Sequence, residues 1–201
     1  MPTQSERTEA TRAALLRAAR QLFGERGFAA TSIEELASSA GVTRGALYHH
    51  FASKEDLFAA VFERVEIELL EAAHRGGLSG RDAWERLRRG CRAFLEACDD
   101  PAIQRIVLLD APAALGMERW REIEERYALE AIRASLEMAM DEGALPKRPP
   151  EPLAHLLLGA LNEAAMVIAR SQGRVSATSV MAEIDALLDG LRGQSEARSM
   201  E

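Results

Sequence analysis

The sequence predicts an all-α protein with about nine helices, in which a three-helix domain is followed by a larger helical bundle. Apolar residues recur along most of the chain at the three- and four-residue spacing of a helix face. The one alternating stretch, VEIELL at residues 65–70, fits the helical stripe that precedes it better than a strand. Gly76, Gly77 and Gly80 predict a flexible break after the fourth helix, and LPKRPPEP at residues 145–152 predicts a rigid loop.

Length and composition place the chain among globular proteins. Its 201 residues allow one domain or two small ones, and 47% hydrophobic with 28% charged residues exclude a disordered chain. The longest apolar runs are short of a membrane span, and the first ten residues, MPTQSERTEA, lack the apolar core of a signal peptide. We therefore expect a cytoplasmic protein with no membrane partner.

Cys91 and Cys98 are the only two cysteines. Seven residues apart on one helix face, their Cα atoms would lie about 10 Å apart, too far for a disulfide. We expect them to be small apolar residues of a core or pocket. A thiol sensor is the alternative, and no other feature of the sequence supports it.

Residues 31–58 predict two short helices joined by a tight turn. Ser32 and Glu35 have the spacing of a capping box, in which each side chain accepts a hydrogen bond from the other residue's backbone N–H. Gly41 follows the first helix, where a left-handed backbone is often needed, and Thr43 can cap the second. This is the pattern of a helix-turn-helix that reads DNA.

The second of these helices, predicted over residues 44–50, is too short to be stable alone. It needs apolar side chains beneath it, and Ala46, Leu47 and Phe51 are suitably placed. The other side chains are then free to face outward, and they are Arg44, Gly45, Tyr48 and His49.

Together with the residues before it, this stretch resembles the TetR family of bacterial transcriptional repressors. The resemblance runs from about Thr11 to Phe58 and covers about a quarter of the chain. It implies a helix-turn-helix DNA-binding domain at residues 1–53 and an effector-binding and dimerisation domain at residues 54–201. The matching residues include Ala18, Leu22, Phe23, Gly27, Phe28, Thr31, Ser32, Ile33, Ala37, Ala40, Gly41, Val42, Gly45, Leu47, Tyr48, Phe51, Lys54, Glu55 and Leu57.

Double-stranded DNA is the partner that this domain implies. Arg44 is our first choice for a base contact, because its guanidinium fork suits the edge of guanine. The resemblance implies that Tyr48 and Lys54 hold phosphates. The residues expected to contact DNA are Thr31, Ser32, Thr43, Arg44, Gly45, Tyr48, His49 and Lys54.

The charge distribution is compatible with this role although the net charge is −7. Up to residue 54 there are seven basic and five acidic residues, a balance of +2. The remainder carries about −9, which can repel phosphates from the wrong face of the protein. The simpler interpretation is that the acidic excess keeps the protein soluble.

The last two helices, predicted over residues 153–170 and 176–191, point to a homodimer. The first of them is apolar nearly all round, so both of its faces need cover, and a second subunit can supply it. Gly159, Ala160, Ala164 and Ala165 would let the backbones approach closely. A two-fold dimer would present two reading helices about one turn of DNA apart and read a pseudo-palindrome.

The resemblance also implies a small-molecule effector pocket in the bundle. Asn162 and Glu163 are polar in the middle of an apolar helix and require a ligand, a basic side chain or a second subunit as partner. Core packing is the simpler interpretation for most of the other candidates. The candidate wall residues are Trp84, Cys91, Phe94, Met117, Trp120, Tyr127, Met138, Asn162, Glu163 and Met166.

These observations predict a repressor that a small-molecule effector releases from a pseudo-palindromic operator. A helical protein-interaction regulator without a ligand is one alternative, and an enzyme that uses the bundle cavity is another. The sequence holds no glycine-rich phosphate loop, His-Glu metal motif or nucleophile elbow. We therefore expect no catalytic residues, no metal and no cofactor.

Overall fold

The computed structural model describes residues 3–171 and 173–192, and this part of the chain forms nine helices and no strands. The all-α prediction is confirmed. The first five helices are α1 (Gln4–Arg26), α2 (Ile33–Ser39), α3 (Arg44–His50), α4 (Lys54–Gly77) and α5 (Ala83–Ala97).

Two of the remaining four helices contain π-helical turns. Helix α6 (101–115) consists of Pro101–Ile103, a π-helical stretch Gln104–Asp110 and Ala111–Leu115. Within it the backbone N–H of Ala111 donates to the carbonyl of Ile106, five residues back, as in a π-helix. Helix α7 (117–141) consists of Met117–Glu124, a π-helical stretch Glu125–Leu129 and Glu130–Asp141, and it is followed by α8 (Pro150–Arg170) and α9 (Ala177–Arg192).

The chain divides into two compact units. The head unit contains the residues up to 65 together with 101–121, and the body unit contains 66–100 and the residues from 122 onward. The domain boundary expected after residue 53 stays a prediction. The contacts themselves group the first half of α4 and all of α6 with α1–α3.

Three phenylalanines form the centre of the head unit. The ring centroids of Phe23 and Phe58 are 5.1 Å apart, and Phe28 lies 5.1 Å from Phe58 and 5.9 Å from Phe23. Leu36 of α2 and Leu47 of α3 are fully buried in the same unit. Since each such side chain contributes about 1.5–3 kcal/mol when buried, this core can hold helices that are too short to be stable alone.

Helix α6 is fastened to the end of α1 within the head unit. A Cβ on Gly24 would lie 2.7 Å from the Cβ of Ala102, so only glycine allows this approach. The carboxylate of Asp110 accepts a hydrogen bond of 2.7 Å from the backbone N–H of Phe28, and the Arg105 guanidinium donates to the carbonyl of Glu25. These bonds fix the segment that joins α1 to α2.

The break predicted at the end of α4 begins later than expected, after Gly77. Helix α4 continues through Gly76 and Gly77, and α5 begins at Ala83 with Asp82 as its cap, later than expected. A Cβ on Gly76 would lie 2.4 Å from the Cβ of Ala93, and a Cβ on Gly80 would lie 2.5 Å from the backbone nitrogen of Arg86. The glycines therefore allow α4 and α5 to pack closely rather than freeing the chain.

The outer face of α8 is exposed although much of it is apolar. Its inner face is buried against α5, α7 and α9, whereas Leu156 is 72% exposed and Val167 also faces outward. Among the described helices, α8 alone is long and apolar enough to cross a membrane by length and composition. Core helices of soluble proteins have the same length and composition, so this property alone does not indicate a membrane span. What a core helix does not account for is the exposed apolar outer face of α8.

Candidate nucleic-acid interface and ligand cavity

The caps of α2 and α3 follow the sequence prediction. The backbone N–H of Ser32 donates to Glu35, and the backbone N–H of Glu35 donates to the Ser32 hydroxyl, at 2.9 and 3.2 Å. Gly41 adopts a φ of 69°, and the Thr43 hydroxyl accepts from the N–H of Ala46 at 3.1 Å. The predicted two-helix unit is confirmed in its geometry.

Helix α3 presents one face to the core and the other to solvent. Leu47 is fully buried and Phe51, its C-terminal cap residue, is 6% exposed. On the opposite side Tyr48 is 41% exposed, and Arg44, Gly45 and His49 are also exposed. A short helix of this kind fits the major groove of B-DNA, where its outer side chains reach base edges and phosphates.

Arg44 is held in an outward position by two weak contacts. Its guanidinium forms a 2.7 Å ion pair with Glu34 of α2 and lies 5.5 Å from the centre of the Tyr48 ring. Both partners of the ion pair are more than half exposed, so the pair contributes little to stability. A guanine edge could replace Glu34 at small cost.

Lys54 is more firmly held than a phosphate anchor needs to be. Its ammonium donates to the carbonyls of Phe28 and Thr31, at 2.9 and 3.1 Å, and lies 4.1 Å from the centre of the Phe28 ring. Two of its three N–H donors are therefore used inside the head unit, and one remains for a phosphate. Lys54 ties α4 to the segment between α1 and α2.

The two residues expected to contact DNA ahead of α2 differ in exposure. Thr31 is 1% exposed and its hydroxyl donates to the carbonyl of Gly27 at 2.8 Å, so the expectation that it contacts DNA does not fit the structure. Ser32 is partly exposed and uses its side chain in the capping box. The hydrogen bonds from the backbone and hydroxyl of Ser32 hold the pKa of Glu35 below its ordinary value.

The body unit contains a partly open cavity of about 350 Å³. Residues of α4, α5, α7 and α8 line it, and most of them are apolar, among them Leu70, Leu87, Phe94, Ile132 and Leu158. An apolar cavity of this size bordered by a few polar groups is typical of a small-molecule site.

A buried carboxyl group, Glu66 of α4, borders this cavity. Glu66 is 3% exposed and makes no hydrogen bond or ion pair within residues 3–171 and 173–192. Its burial, together with the charge of Glu124 on α7, raises its pKa to about 8. Glu124 in turn accepts a 2.8 Å hydrogen bond from the side-chain amide of Asn162 on α8.

Two domain families match the chain. Residues 15–61 match bacterial regulatory proteins of the tetR family, and residues 84–191 match the tetracyclin repressor-like C-terminal domain. The second match alone covers more than half of the 201 residues. The chain belongs to the TetR family.

Similar proteins agree with this assignment. A TetR-family transcriptional regulator of Pectobacterium atrosepticum, known from a crystal structure, is 38% identical, with 95% of this chain and 98% of that chain covered and a TM-score of 0.79. The TetC protein of transposon Tn10 from Escherichia coli is 27% identical over 156 residues, 78% of this chain and 79% of its own length. The transcriptional repressor KstR2 of Mycobacterium tuberculosis is 35% identical over 117 residues, 57% of this chain and 58% of its own length. The TetR-family chain is a DNA-binding transcriptional regulator.

Three of the ten predicted pocket residues of this TetR-family regulator border the cavity, namely Cys91, Phe94 and Met138. Asn162 does not line it and instead holds Glu124, while Glu163 lies on the exposed outer face of α8. Their assignment to an effector pocket stays a prediction, because helical spacing does not say which side of α8 faces inward. The others that do not line the cavity are Trp84, Met117, Trp120, Tyr127 and Met166.

Sequence reasoning missed Glu66 and Glu124 as candidate site residues of the TetR-family regulator. A signal for Glu66 was present, since it stands directly after Val65, four residues after Phe62 and three before Leu69, on the apolar side of α4. A carboxylate at such a position needs a reason. Glu124 gave no comparable signal, because other acidic and basic residues surround it in the sequence.

The cysteines of this TetR-family chain are both buried. Burial raises the pKa of each thiol to about 12. Redox-sensing cysteines are exposed and have a lowered pKa, so the structure favours the apolar interpretation over the thiol sensor.

Proposed function

We propose that this TetR-family regulator is a cytoplasmic homodimeric repressor that leaves a pseudo-palindromic operator when a small molecule occupies the cavity of its body unit. The observation that carries the proposal is the capped helix α3, which is held from below by Leu47 and offers Arg44, Tyr48 and His49 to solvent. Arg44 reads a base edge. The position of the protein on the DNA backbone is fixed by Thr43, Gly45, Tyr48, His49 and the remaining donor of Lys54.

The uncovered faces of α8 and α9 support the dimer. Leu156 and Leu187 are 72% and 67% exposed, and Val167 lies on the same outer side of α8 as Leu156. A Cβ on Gly159 or on Gly190 would meet nothing within 4 Å, so each helix leaves room for a partner backbone. Two copies that pair α8 and α9 bury this apolar surface, whose exposure is unusual for a monomer.

The continuity of α4 supports release by an effector. Its residues 66–77 border the cavity, and its residues 54–65 supply Leu57, Phe58 and Phe62 to the core of the head unit. A ligand that binds one orientation of this helix better than another shifts the population of conformations in which the two α3 helices of the dimer can bind DNA. A coupling of about 1–3 kcal/mol is enough for a useful switch.

Selection from a random oligonucleotide library at moderate salt tests the proposal. We expect an inverted repeat whose half-sites lie about one helical turn apart, bound by a species with the mass of two chains in light scattering. A monomer that enriches no sequence would contradict the proposal. An operator-bound dimer that no ligand releases would instead favour a regulator that answers to a protein partner.

A further inference from the structure

We propose that the cavity of the body unit binds an apolar molecule with one positively charged nitrogen, held against the carboxylate of Glu66. This inference rests on the proposed effector role of the cavity and specifies the class of the ligand. It covers tertiary amines, which are protonated near neutral pH, and quaternary ammonium compounds, which are charged at every pH.

The first observation is a carboxyl group placed where a charge is costly. Glu66 is almost fully buried, borders an otherwise apolar cavity and has no hydrogen-bond or ion-pair partner in the described part of the chain. The second is that the charge acting on it is another carboxylate, that of Glu124. A buried carboxyl group without a partner, beside an apolar space, leaves a cation as the charge that Glu66 lacks.

The other ionisable groups that border the cavity do not supply this cation. Arg86 already forms a 2.8 Å ion pair with Glu142. His74 lies eight residues after Glu66 on α4, about 12 Å farther along the helix axis. Cys91 of α5 is a buried thiol with a pKa raised to about 12, and it stays neutral near pH 7. The residues of α8 at the cavity, Leu158 and Leu161, carry no charge.

The protonation of Glu66 then determines which ligands bind well. With its pKa raised to about 8, Glu66 is mostly protonated near neutral pH when the cavity holds no charge. A cationic nitrogen makes the ionised form favourable, so binding releases a proton. The apolar walls, which include Leu69 and Phe94, bury the rest of the molecule. An anionic ligand would gain no opposite charge from Glu66 and would be repelled by the charge of Glu124.

Calorimetric titration with three probes of similar shape tests the class of ligand. The probes are phenethyltrimethylammonium, its uncharged carbon isostere (3,3-dimethylbutyl)benzene, and 4-phenylbutyrate. We expect the ammonium to bind most tightly and its affinity to rise by about 10- to 100-fold from pH 6 to pH 9, as the ionised fraction of Glu66 grows. The affinity of the uncharged isostere should change little over the same range.

Two variants assign the effect to Glu66. Glu66→Gln keeps the shape of the side chain and should abolish both the pH dependence and the proton release, which titrations in buffers of different ionisation enthalpy measure. Glu68→Gln removes a carboxylate from the exposed side of the same helix and should leave both unchanged. A cooperative thermal transition in each variant shows that the fold is retained.

The inference is overturned if the ammonium binds no more tightly than the isostere, or if Glu66→Gln keeps the pH dependence. Its failure can be told apart from failure of the proposed function. A ligand-free protein that binds its selected inverted repeat but prefers no cation disproves only the ligand class. A protein that takes the ammonium but enriches no DNA sequence disproves the repressor.

Discussion

The side chain of Asp110 and the backbone N–H of Phe28 are joined by a hydrogen bond of 2.7 Å across 82 positions of the sequence. The bond links α6 to the segment that carries Phe28 and Thr31, the two residues whose carbonyls also receive the ammonium of Lys54. One short segment between α1 and α2 is therefore held by a carboxylate from one side and by a cation from the other. Its position sets where α2, and with it α3, begins.

Replacing Asp110 with alanine should destabilise the head unit. The variant leaves the Phe28 N–H without its charged acceptor, and we expect a loss of about 1.5–3 kcal/mol in the free energy of unfolding by urea. Asp110→Asn, which keeps a carbonyl acceptor in the same place, should lose less. Equal losses in the two variants would mean that the charge and the acceptor contribute nothing specific.

Lys54→Ala should lower stability and DNA affinity together. The variant removes two hydrogen bonds and the contact with the Phe28 ring. We therefore expect the free energy of unfolding in urea to fall by about 1–3 kcal/mol. If the third donor holds a phosphate, the slope of log affinity against log salt also falls by about one unit. Lys54→Met keeps the apolar stem and separates packing from hydrogen bonding. Unchanged stability would contradict the structural role.

Arg44 and Glu34 should have opposite effects on DNA binding. Arg44→Ala should relax the preference at one base pair of each half-site, at a cost of about 1–3 kcal/mol. Glu34→Gln releases Arg44 from its ion pair and removes a negative charge near the phosphates, so affinity for the selected site should rise. Fluorescence anisotropy and a measured sequence logo report both effects. An unchanged logo for Arg44→Ala would remove this residue from base reading.

Leu156→Glu should give a folded monomer. A carboxylate at this exposed position costs little in the isolated chain, but in the proposed dimer it would be buried against the partner. Leu109→Glu changes another exposed leucine, outside the proposed interface, and should leave the dimer intact. Light scattering measures the mass and circular dichroism the helix content. A dimer of unchanged affinity in Leu156→Glu would place the interface elsewhere.

The buried carboxyl of Glu66 should make the protein less stable as the pH rises. Its pKa is raised from 4.5 to about 8 on folding, so between these values the unfolded chain holds fewer protons than the folded one. This contribution to stability is therefore complete below about pH 4.5 and is lost as the pH approaches 8. Glu66→Gln should be more stable than the parent by about 2–4 kcal/mol at pH 8 and should lose this pH dependence. Urea unfolding at a fixed protein concentration across this range provides the measurement.

Local chemistry made the two-helix unit predictable from the sequence. The capping box of Ser32 and Glu35, the left-handed Gly41 and the cap by Thr43 each depend on residues within four positions of one another. The burial of Leu47 was predictable for the same reason, because the apolar residues of the short helix lie on one side of it. Such features do not depend on how distant parts of the chain meet.

Features that depend on distant neighbours could not be predicted in the same way. Gly76 and Gly80 were expected to free the chain, but their role is set by Ala93 and Arg86 on the facing helix. The burial of Thr31 depends on the segment between α1 and α2, whose carbonyl at Gly27 receives its hydroxyl. The cavity depends on four helices at once, which is why most of its predicted wall residues lie elsewhere.

The wider turns in α6 and α7 change the direction in which later side chains point. An α-helix turns by about 100° at each residue, whereas a π-helical turn takes up more residues before it closes. After residues 104–110, and again after 125–129, the apolar row is therefore out of phase with the row before it. A single continuous helix can thus pack the apolar side chains before and after the π-helical turn against different neighbouring helices. A repeat pattern carried straight through these helices would assign the wrong positions to the interior from each wide turn onward.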